Sequence, residues 1–133
     1  MKKIKKFFKK DTFAEHVGIE LLELSEGKAK ARLKIKEDHL NAVDVVHGGA
    51  IFTLADLAFA AASNSHGTVA LAINANISFL KSVGKGATLT AEAKEISRNP
   101  KLATYSILVT NDEKETIAIF QGTVYRKKDK ITT

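Results

Sequence analysis

Residues 49–64, GAIFTLADLAFAAASN, constrain the fold of this 133-residue chain more than any other segment. Apolar side chains occupy nearly every position around the helical wheel, which predicts a helix buried on most of its sides. The helix is too short, and interrupted by Asp56, to be a membrane span. A flat sheet covers one side of a helix only. We therefore expect a strongly curved sheet that wraps around this helix.

Segments with alternating apolar and polar side chains flank the helix. Residues 28–36, KAKARLKIK, have the period of a strand with one face in water, and with residues 19–24 and the turn SEG they predict a hairpin. After the stop signal NSHG, residues 69–79 predict a long strand with Val69, Leu71, Ile73, Ala75, Ile77 and Phe79 on one face and Asn74, Asn76 and Ser78 on the other. Three further strands, at 87–96, 103–111 and 116–126, follow through sequential hairpins. The sheet is predicted to be mostly antiparallel.

The net charge of +6 belongs to the N-terminal segment, MKKIKKFFKK. Its six lysines leave 21 − 6 = 15 basic residues against 15 acidic ones in the rest of the chain. A protein that binds nucleic acid carries its positive charge on the folded surface, so no nucleic-acid partner is predicted. Ile4, Phe7 and Phe8 have helical spacing and predict a short helix that docks its rings on the sheet. Attachment of this segment to anionic lipid is the alternative.

The chain is predicted to form a single domain over residues 1–133, with a basic N-terminal helix at 1–18, a core at 19–126 and a basic tail at 127–133. It has no cysteine, hence no disulfide and no thiol nucleophile, and its start lacks the apolar stretch of a signal peptide. We expect a cytoplasmic protein. The histidines at 16, 39, 47 and 66 show no ligand spacing, and no metal is predicted.

Two glycines, Gly48 and Gly49, stand where the buried helix begins. The first backbone N–H groups of a helix have no acceptor within it, and they lie at the positive end of its dipole. Such a helix start suits a carbonyl oxygen that becomes negative during attack, as in an oxyanion hole. The alternative is that the glycines only allow the helix to pack tightly against the sheet.

Asp56 is a single carboxylate among apolar neighbours in the same helix. Its burial is costly unless it is paired or hydrogen-bonded, and the segment contains no lysine or arginine. A structural Asp56 would receive hydrogen bonds from a facing backbone or from Asn74 or Asn76. A functional Asp56 would act as a general base on water or as a nucleophile.

The spacing of Gly48 and Asp56 leads to a further hypothesis. Eight residues of helix place them about 12 Å apart along the axis, too far for both to act on one carbonyl group. The two residues would then act on one substrate from different copies of the chain. The smallest active unit is therefore predicted to be a dimer with two equivalent sites.

One curved antiparallel sheet around one helix, an α+β architecture, is the hot-dog fold. The segment HGGAIFTLADLAFAAASNSHG, with Asn41 six residues before His47, resembles the helix segment of the PaaI-like acyl-CoA thioesterases of the hot-dog superfamily. The strands containing ISFLKSVGKGATLTAEAKEI and IAIFQGTVYR also resemble that family, so the likeness runs from about Ile19 to Arg126. It implies an enzyme that hydrolyses acyl-CoA thioesters, with an aromatic or medium-chain acyl group, as a homodimer or a dimer of dimers.

Carried onto this sequence, the resemblance makes Gly48 the oxyanion donor and Asp56 the catalytic carboxylate, while Asn41 and His47 orient substrate or water. His47, judged by itself, is a loop histidine that satisfies backbone groups. The chain departs from relatives at Asp44, where they often carry glycine, and at Ser82, where they often have proline. A strand Ser or Thr that positions water in some relatives has no counterpart here other than Asn74 or Asn76.

Coenzyme A would enter as part of the substrate, and no separate cofactor is predicted. The candidates for contact with it are Gly49, Asn74, Asn76 and, for its phosphates, Lys81, Lys85, Arg98 and Lys101. Two alternatives remain open: a hot-dog hydratase or dehydratase, and a non-catalytic module that binds acyl-CoA or only dimerises.

Overall fold

The computed structural model describes residues 1–132 as six strands and three α-helices. The helices are α1 (Lys2–Phe8), α2 (Thr12–Val17) and α3 (Gly48–Asn64), and a short 3-10 turn covers Glu37–His39. The strands are β1 (Glu20–Ser25), β2 (Lys28–Lys34), β3 (Thr68–Phe79), β4 (Thr88–Arg98), β5 (Leu102–Thr110) and β6 (Thr116–Lys130). No helix within residues 1–132 has the length and apolar character needed to cross a bilayer.

The six strands form one antiparallel sheet in the order β1-β2-β4-β5-β6-β3, and α3 contacts every strand of it. This confirms the predicted hot-dog fold. The alternation in β2 places Ala29, Ala31 and Leu33 in the core, as predicted. A Cβ atom on Gly122 of β6 would lie 2.5 Å from the Phe59 ring of α3, so only glycine lets the sheet approach this ring.

The predicted faces of β3 are wrong along part of the strand, because β3 contains a β-bulge. Ala72 pairs with Val124 and Asn74 pairs with Thr123, which leaves Ile73 as an extra residue between them. An extra residue reverses the side on which the following side chains project. Leu71 therefore lies on the outer face, away from α3, whereas Ile77 packs against the core on the inner face.

The N-terminal segment forms two short helices, not the single helix predicted for residues 1–18. Asp11 separates the two helices because it is the N-cap of α2. Its Oδ1 accepts a hydrogen bond from the Ala14 amide at 3.0 Å. Gly18 closes α2 in the left-handed conformation, with φ +99°. The segment packs against α3 through buried Ile4, and Phe8 packs against the core. The ring of Phe7 makes an edge-to-face contact with the ring of Phe8.

The predicted tail at 127–133 also differs from the structure. Strand β6 continues to Lys130. The next residue, Ile131, is buried, and its amide donates a hydrogen bond to the Gly67 carbonyl at 2.9 Å. Residue 133 lies outside the described residues. The basic residues that follow Tyr125 are therefore part of the sheet, where their positions are fixed.

Candidate active site

The start of α3 presents one backbone amide that has no acceptor. His47 is the N-cap of the helix, and its Nδ1 accepts a hydrogen bond from the Gly49 amide at 2.8 Å. The His47 carbonyl accepts from Ala50 at 3.0 Å. Within residues 1–132 the Gly48 N–H has no acceptor. Of the two glycine amides, Gly48 is thus the one free to donate to a ligand.

Each of the two glycines lies close to a side-chain ring. A Cβ on Gly49 would lie 2.9 Å from His47 Nδ1, and a Cβ on Gly48 would lie 3.1 Å from Cζ of Phe79. The predicted contact of Gly49 with substrate stays a prediction, and in this structure its amide is already bonded to His47. Gly49 instead allows the cap to form.

The loop before the helix is fixed by Asn41. Its Oδ1 accepts hydrogen bonds from the amides of Val43 and Val45, at 3.0 and 3.2 Å. Asp44 lies in the left-handed region with φ +62°, a conformation that glycine adopts most easily and that Asp tolerates. Within the described residues the Asn41 Nδ2 group has no acceptor. Asn41 therefore supports the loop and keeps a donor for a ligand.

An apolar pocket of about 450 Å³ lies beside the helix start. We call it the helix-start pocket. Its walls come from α2, from the turn at 37–40 and from α3, and they are Phe13, Val17, Asp38, His39, Leu40, His47, Gly49, Ala50, Phe52 and Thr53. His39 ties these walls together, because its Nδ1 accepts from the Lys36 amide at 2.9 Å and its Nε2 lies 2.6 Å from the Val17 carbonyl. The pocket therefore has a fixed frame.

Asp56 has neither a hydrogen-bond donor nor an ion-pair partner among residues 1–132. It lies two turns along α3 from Gly48, on a stripe that includes Phe52, Thr53 and Ala60 and that the chain leaves partly open. Burial, and secondly the negative charge of Asp11, raise the pKa of the Asp56 carboxyl above its usual value. The structural alternative, in which a facing backbone group or an asparagine compensates Asp56, is therefore wrong within one chain.

Asn74 and Asn76 lie away from the helix start. They pair with Thr123 and Gln121 of β6, after the bulge, and are exposed on the outer face of the sheet. The structure thus separates them from Gly48 and Asp56 of the same chain. Within one chain the bulge puts them on the face opposite α3. Their predicted contact with substrate, at a site shared between subunits, stays a prediction.

The predicted phosphate-binding residues are divided between two ends of the molecule. Lys81 is bonded to Glu115 and Lys85 lies 3.0 Å from Glu37, so the charges of both are already paired. Arg98 borders a shallow basic pocket of about 690 Å³ at the far end of the sheet. Its walls are Thr68, Arg98, Asn99, Pro100, Arg126, Lys127 and Lys128. Lys101 is adjacent, since its carbonyl accepts from the Arg126 amide at 2.7 Å.

The contribution of β6 to this basic pocket was not predicted from the sequence. Arg126, Lys127 and Lys128 were treated as the end of a core strand and a tail, although the run YRKK continues the strand. The Arg126 Nη1 donates to the Asn99 carbonyl at 2.9 Å and so joins β6 to the turn between β4 and β5. The signal for this site was the basic run RKK directly after the alternating segment of β6.

A second missed feature is a polar cluster at the C-terminal end of α3. Glu95 Oε1 accepts a hydrogen bond from the buried Tyr105 hydroxyl at 2.6 Å and lies 2.8 Å from His66 Nε2, while Arg98 Nη1 lies 2.6 Å from His66 Nδ1. Burial alone would raise the pKa of Glu95, but the bonds from Tyr105 and His66 and the charges of His66 and Arg98 outweigh it, and the pKa is lowered. The pKa of Tyr105 is raised by burial and by Glu95. The cluster anchors the helix end.

Comparison with known proteins bears on what this arrangement does. The model of the thioesterase superfamily matches residues 44–118. A putative esterase of Archaeoglobus fulgidus is 50% identical over 90% of this chain and 77% of its own length. The acyl-coenzyme A thioesterase PaaI of Escherichia coli is 35% identical over 94% of this chain and 89% of its own.

Solved structures give the same result. The Escherichia coli PaaI protein from the phenylacetic acid degradation operon has a TM-score of 0.94 to this chain at 34% identity, covering 98% of this chain and 95% of the other. A Streptococcus mutans protein bound to acetyl CoA has a TM-score of 0.81 at 25% identity, with 85% and 91% covered. The helix start and Asp56 both fall within the segment that the superfamily model matches.

Proposed function

The chain belongs to the thioesterase superfamily, and we propose that this enzyme hydrolyses acyl-CoA thioesters to a free acid and coenzyme A. One unbroken helix carries a Gly48 amide and an Asp56 carboxylate, and neither group has a hydrogen-bond partner in residues 1–132. This observation carries the proposal. The first group suits an oxyanion and the second suits a base or a nucleophile. Coenzyme A enters as part of the substrate.

Two routes use these groups. In the first, Asp56 takes a proton from water while the water oxygen attacks the thioester carbonyl carbon. The new oxyanion accepts a hydrogen bond from the Gly48 N–H. The carbon–sulfur bond then breaks, and the thiolate of coenzyme A takes the proton from Asp56 and leaves as the thiol. In the second, a carboxylate oxygen of Asp56 attacks the carbon, the thiolate leaves, and water hydrolyses the resulting anhydride. Asn41, through its free Nδ2, and His47 orient the substrate or water in either route.

We place each active site between two subunits. Because α3 is one continuous helix, Gly48 and Asp56 of one chain are about 12 Å apart along its axis. A thioester carbonyl held by Gly48 is therefore out of reach of Asp56 on the same helix. A partner chain that lies along the open stripe of α3 would bring its own Asp56 to that carbonyl.

The edge strand β3 supports such a dimer. It forms one end of the strand order and spans 12 residues, with Ile73 59% exposed and Phe79 53% exposed. A long apolar edge strand is a template for pairing with another chain. Pairing of β3 with a second copy would cover this edge, next to the Phe79 ring that lies on Gly48.

The outer face of the sheet supports a dimer of dimers. Leu71, Tyr125 and Leu102 pair across β3, β6 and β5 in register and are each at least 40% exposed. Leu108 and Ile119 form a second apolar pair on the same face. Two polar rows that contain Thr123 and Gln121 separate these apolar rows. Exposed apolar surface rimmed by polar residues marks an interaction site, and the proposed tetramer would bury it.

The basic pocket is proposed to receive the phosphates of coenzyme A. Its basic lining residues are Arg98, Arg126, Lys127 and Lys128, and Lys101 is adjacent. Two carboxylates lie close to this set: Glu95 is 3.9 Å from Arg98, and Asp129 is 3.6 Å from Lys127. Arginine and lysine clusters bind phosphate by charge-assisted hydrogen bonds. Lys101→Gln should then raise KM for a CoA thioester and leave KM unchanged for the N-acetylcysteamine thioester, which has no phosphate.

The proposed activity is tested by measuring thiol release from a panel of acyl-CoAs with the wild type, Asp56→Asn and the exposed control Asp112→Asn. We expect Asp56→Asn to lower kcat by about 10²–10⁴-fold and the control to match the wild type. Equal rates for all three proteins would refute the role of Asp56. Binding of acyl-CoA without thiol release would identify a non-catalytic module, and hydration of an enoyl-CoA would identify a hydratase.

A further inference from the structure

A groove of about 740 Å³ lies between the two N-terminal helices, β1 and α3. We call it the N-terminal groove. Its apolar lining comes from Phe8 of α1, Ala14 of α2, Ile19 and Leu21 around β1, and Leu57 of α3. The volume falls within the roughly 300–1,000 Å³ of sites that hold small molecules. The groove is therefore large enough for an acyl chain or an aromatic acyl group.

The N-terminal groove adjoins Asp56. Leu57, the next residue of α3, forms part of its wall and is 5% exposed. Asp11 lines the groove at the junction of α1 and α2, and its charge acts on the Asp56 carboxyl. Asp56 is therefore the helix neighbour of a residue in the groove wall and lies within reach of the charge at its junction.

We propose that the acyl group of the substrate lies in the N-terminal groove of the subunit that supplies Asp56, so that α1 and α2 determine which acyl groups are accepted. This inference rests on the proposed thioesterase function. It assigns Phe8 and Leu21 as specificity-determining residues.

The lining of the groove favours the acyl group over the phosphates of coenzyme A as its occupant. Its rim carries Lys5 and Lys9 against Asp11, Glu15 and Glu20, and Glu20 is paired with Arg32 at 3.3 Å, so the rim has no excess of positive charge to bind phosphates. An apolar acyl group gains instead from burial on the apolar lining. The basic pocket, by contrast, lies at the other end of the sheet.

Leu21 allows the groove to be both filled and enlarged. It lies on β1, is half-buried and lines the groove, so the size of its side chain sets the space there. Leu21→Phe shortens the space for the acyl chain, and Leu21→Ala lengthens it. Phe8→Ala enlarges the groove from the opposite wall. Phe13→Ala is the matched control, because Phe13 is on the other side of α2 and lines the helix-start pocket.

The experiment compares kcat/KM for butanoyl-CoA, dodecanoyl-CoA and phenylacetyl-CoA across these variants, with melting temperatures to verify folding. We expect Leu21→Phe to lower the dodecanoyl-to-butanoyl ratio by about tenfold or more, since one or two methylene groups are worth about that much in an apolar pocket. Leu21→Ala and Phe8→Ala should raise the ratio, and Phe13→Ala should leave it unchanged. Unchanged ratios in the Leu21 and Phe8 variants, or a shift confined to Phe13→Ala, would overturn the inference while the enzyme still hydrolyses thioesters. Absence of hydrolysis by the wild type would instead overturn the proposed function, and the inference with it.

Discussion

The Nδ1 atom of His47 accepts the Gly49 amide at 2.8 Å and thereby leaves the Gly48 amide as the free donor at the start of α3. A histidine cap with Nδ1 as acceptor carries its proton on Nε2 when neutral. Gly49 leaves room for the His47 ring, from which a Cβ would lie 2.9 Å, and Gly48 lies under the ring of Phe79. The sequence HGG thus combines a helix cap with one exposed donor.

The cap predicts different effects for two substitutions of His47. His47→Ala removes the acceptor and should lower the free energy of unfolding by about 0.5–2 kcal/mol, whereas His47→Asn retains a capping oxygen and should lose less. Urea denaturation of both variants measures the difference. Equal losses would show that the 2.8 Å bond does not contribute to stability.

The neighbouring carboxylate of Asp11 predicts a shift in the pH dependence of activity. The pKa of Asp56 is raised by burial first and by Asp11 second, so activity that needs the carboxylate should fall on the acid side at a higher pH than for an ordinary Asp. Asp11→Asn keeps a good cap for α2 and removes one negative charge. The acid limb of kcat/KM should move to lower pH without disappearing, since burial remains. An acid limb at the wild-type position would contradict this coupling.

The cluster at the end of α3 predicts the stability of the protein in acid. Because the pKa of Glu95 is lower in the folded protein than in the unfolded chain, its charged form stabilises the fold above the unfolded pKa, and this contribution is lost as pH falls through the folded pKa. Glu95→Gln should therefore flatten the acid side of a plot of melting temperature against pH. Glu113→Gln, an exposed position with no ion pair among residues 1–132, is the control and should leave the curve unchanged.

The positive φ of Asp44 predicts the order of stability at that position. Asp44→Gly should match or exceed the wild type, because glycine adopts φ +62° without strain. Asp44→Val should lose about 1–2 kcal/mol, since a branched side chain is strained there. Thermal melts of the two variants test the order, and a Val variant as stable as the Gly variant would contradict it.

The fold could be predicted from the sequence because the hydrophobic patterns of α3 and β2 are regular, and each fits only one type of secondary structure. The helix is apolar all round, and β2 alternates without interruption, so both elements formed where expected. The bulge at Ile73 could not be predicted, because the residues on both sides continue an apparent alternation through it. The two N-terminal helices were also missed, since the Asp11 cap resembles the surrounding charged residues.

The candidate site was predictable in its backbone and less so in its partners. Gly48 and Asp56 were recognised because a glycine at a helix start and a carboxylate in an apolar helix are both unusual. Gly49, Lys81 and Asn74 were assigned to substrate because the sequence does not show which groups are already bonded or which face is reached. Arg126 and Lys127 were overlooked for the opposite reason, since they come from a segment distant in sequence from Arg98.

The proposed active site is built from Gly48 of one subunit and Asp56 of another, and a mixing experiment tests this directly. Gly48→Pro removes the free amide at the first helical position, where proline is tolerated and where the extended backbone of His47, with ψ 134°, suits a following proline. Gly48→Ala keeps the amide and controls for the contact with Phe79. Gly48→Pro and Asp56→Asn are expected to be nearly inactive alone.

The two inactive variants are unfolded together, refolded in equal amounts and assayed for thiol release from an acyl-CoA. A shared site predicts recovery of about one quarter of wild-type activity, because half of the random dimers are mixed and each mixed dimer has one intact site out of two. If both residues act within one subunit, every site in the mixture lacks one group. Activity no higher than that of the separate variants, in a mixture shown to contain mixed dimers, would contradict the account.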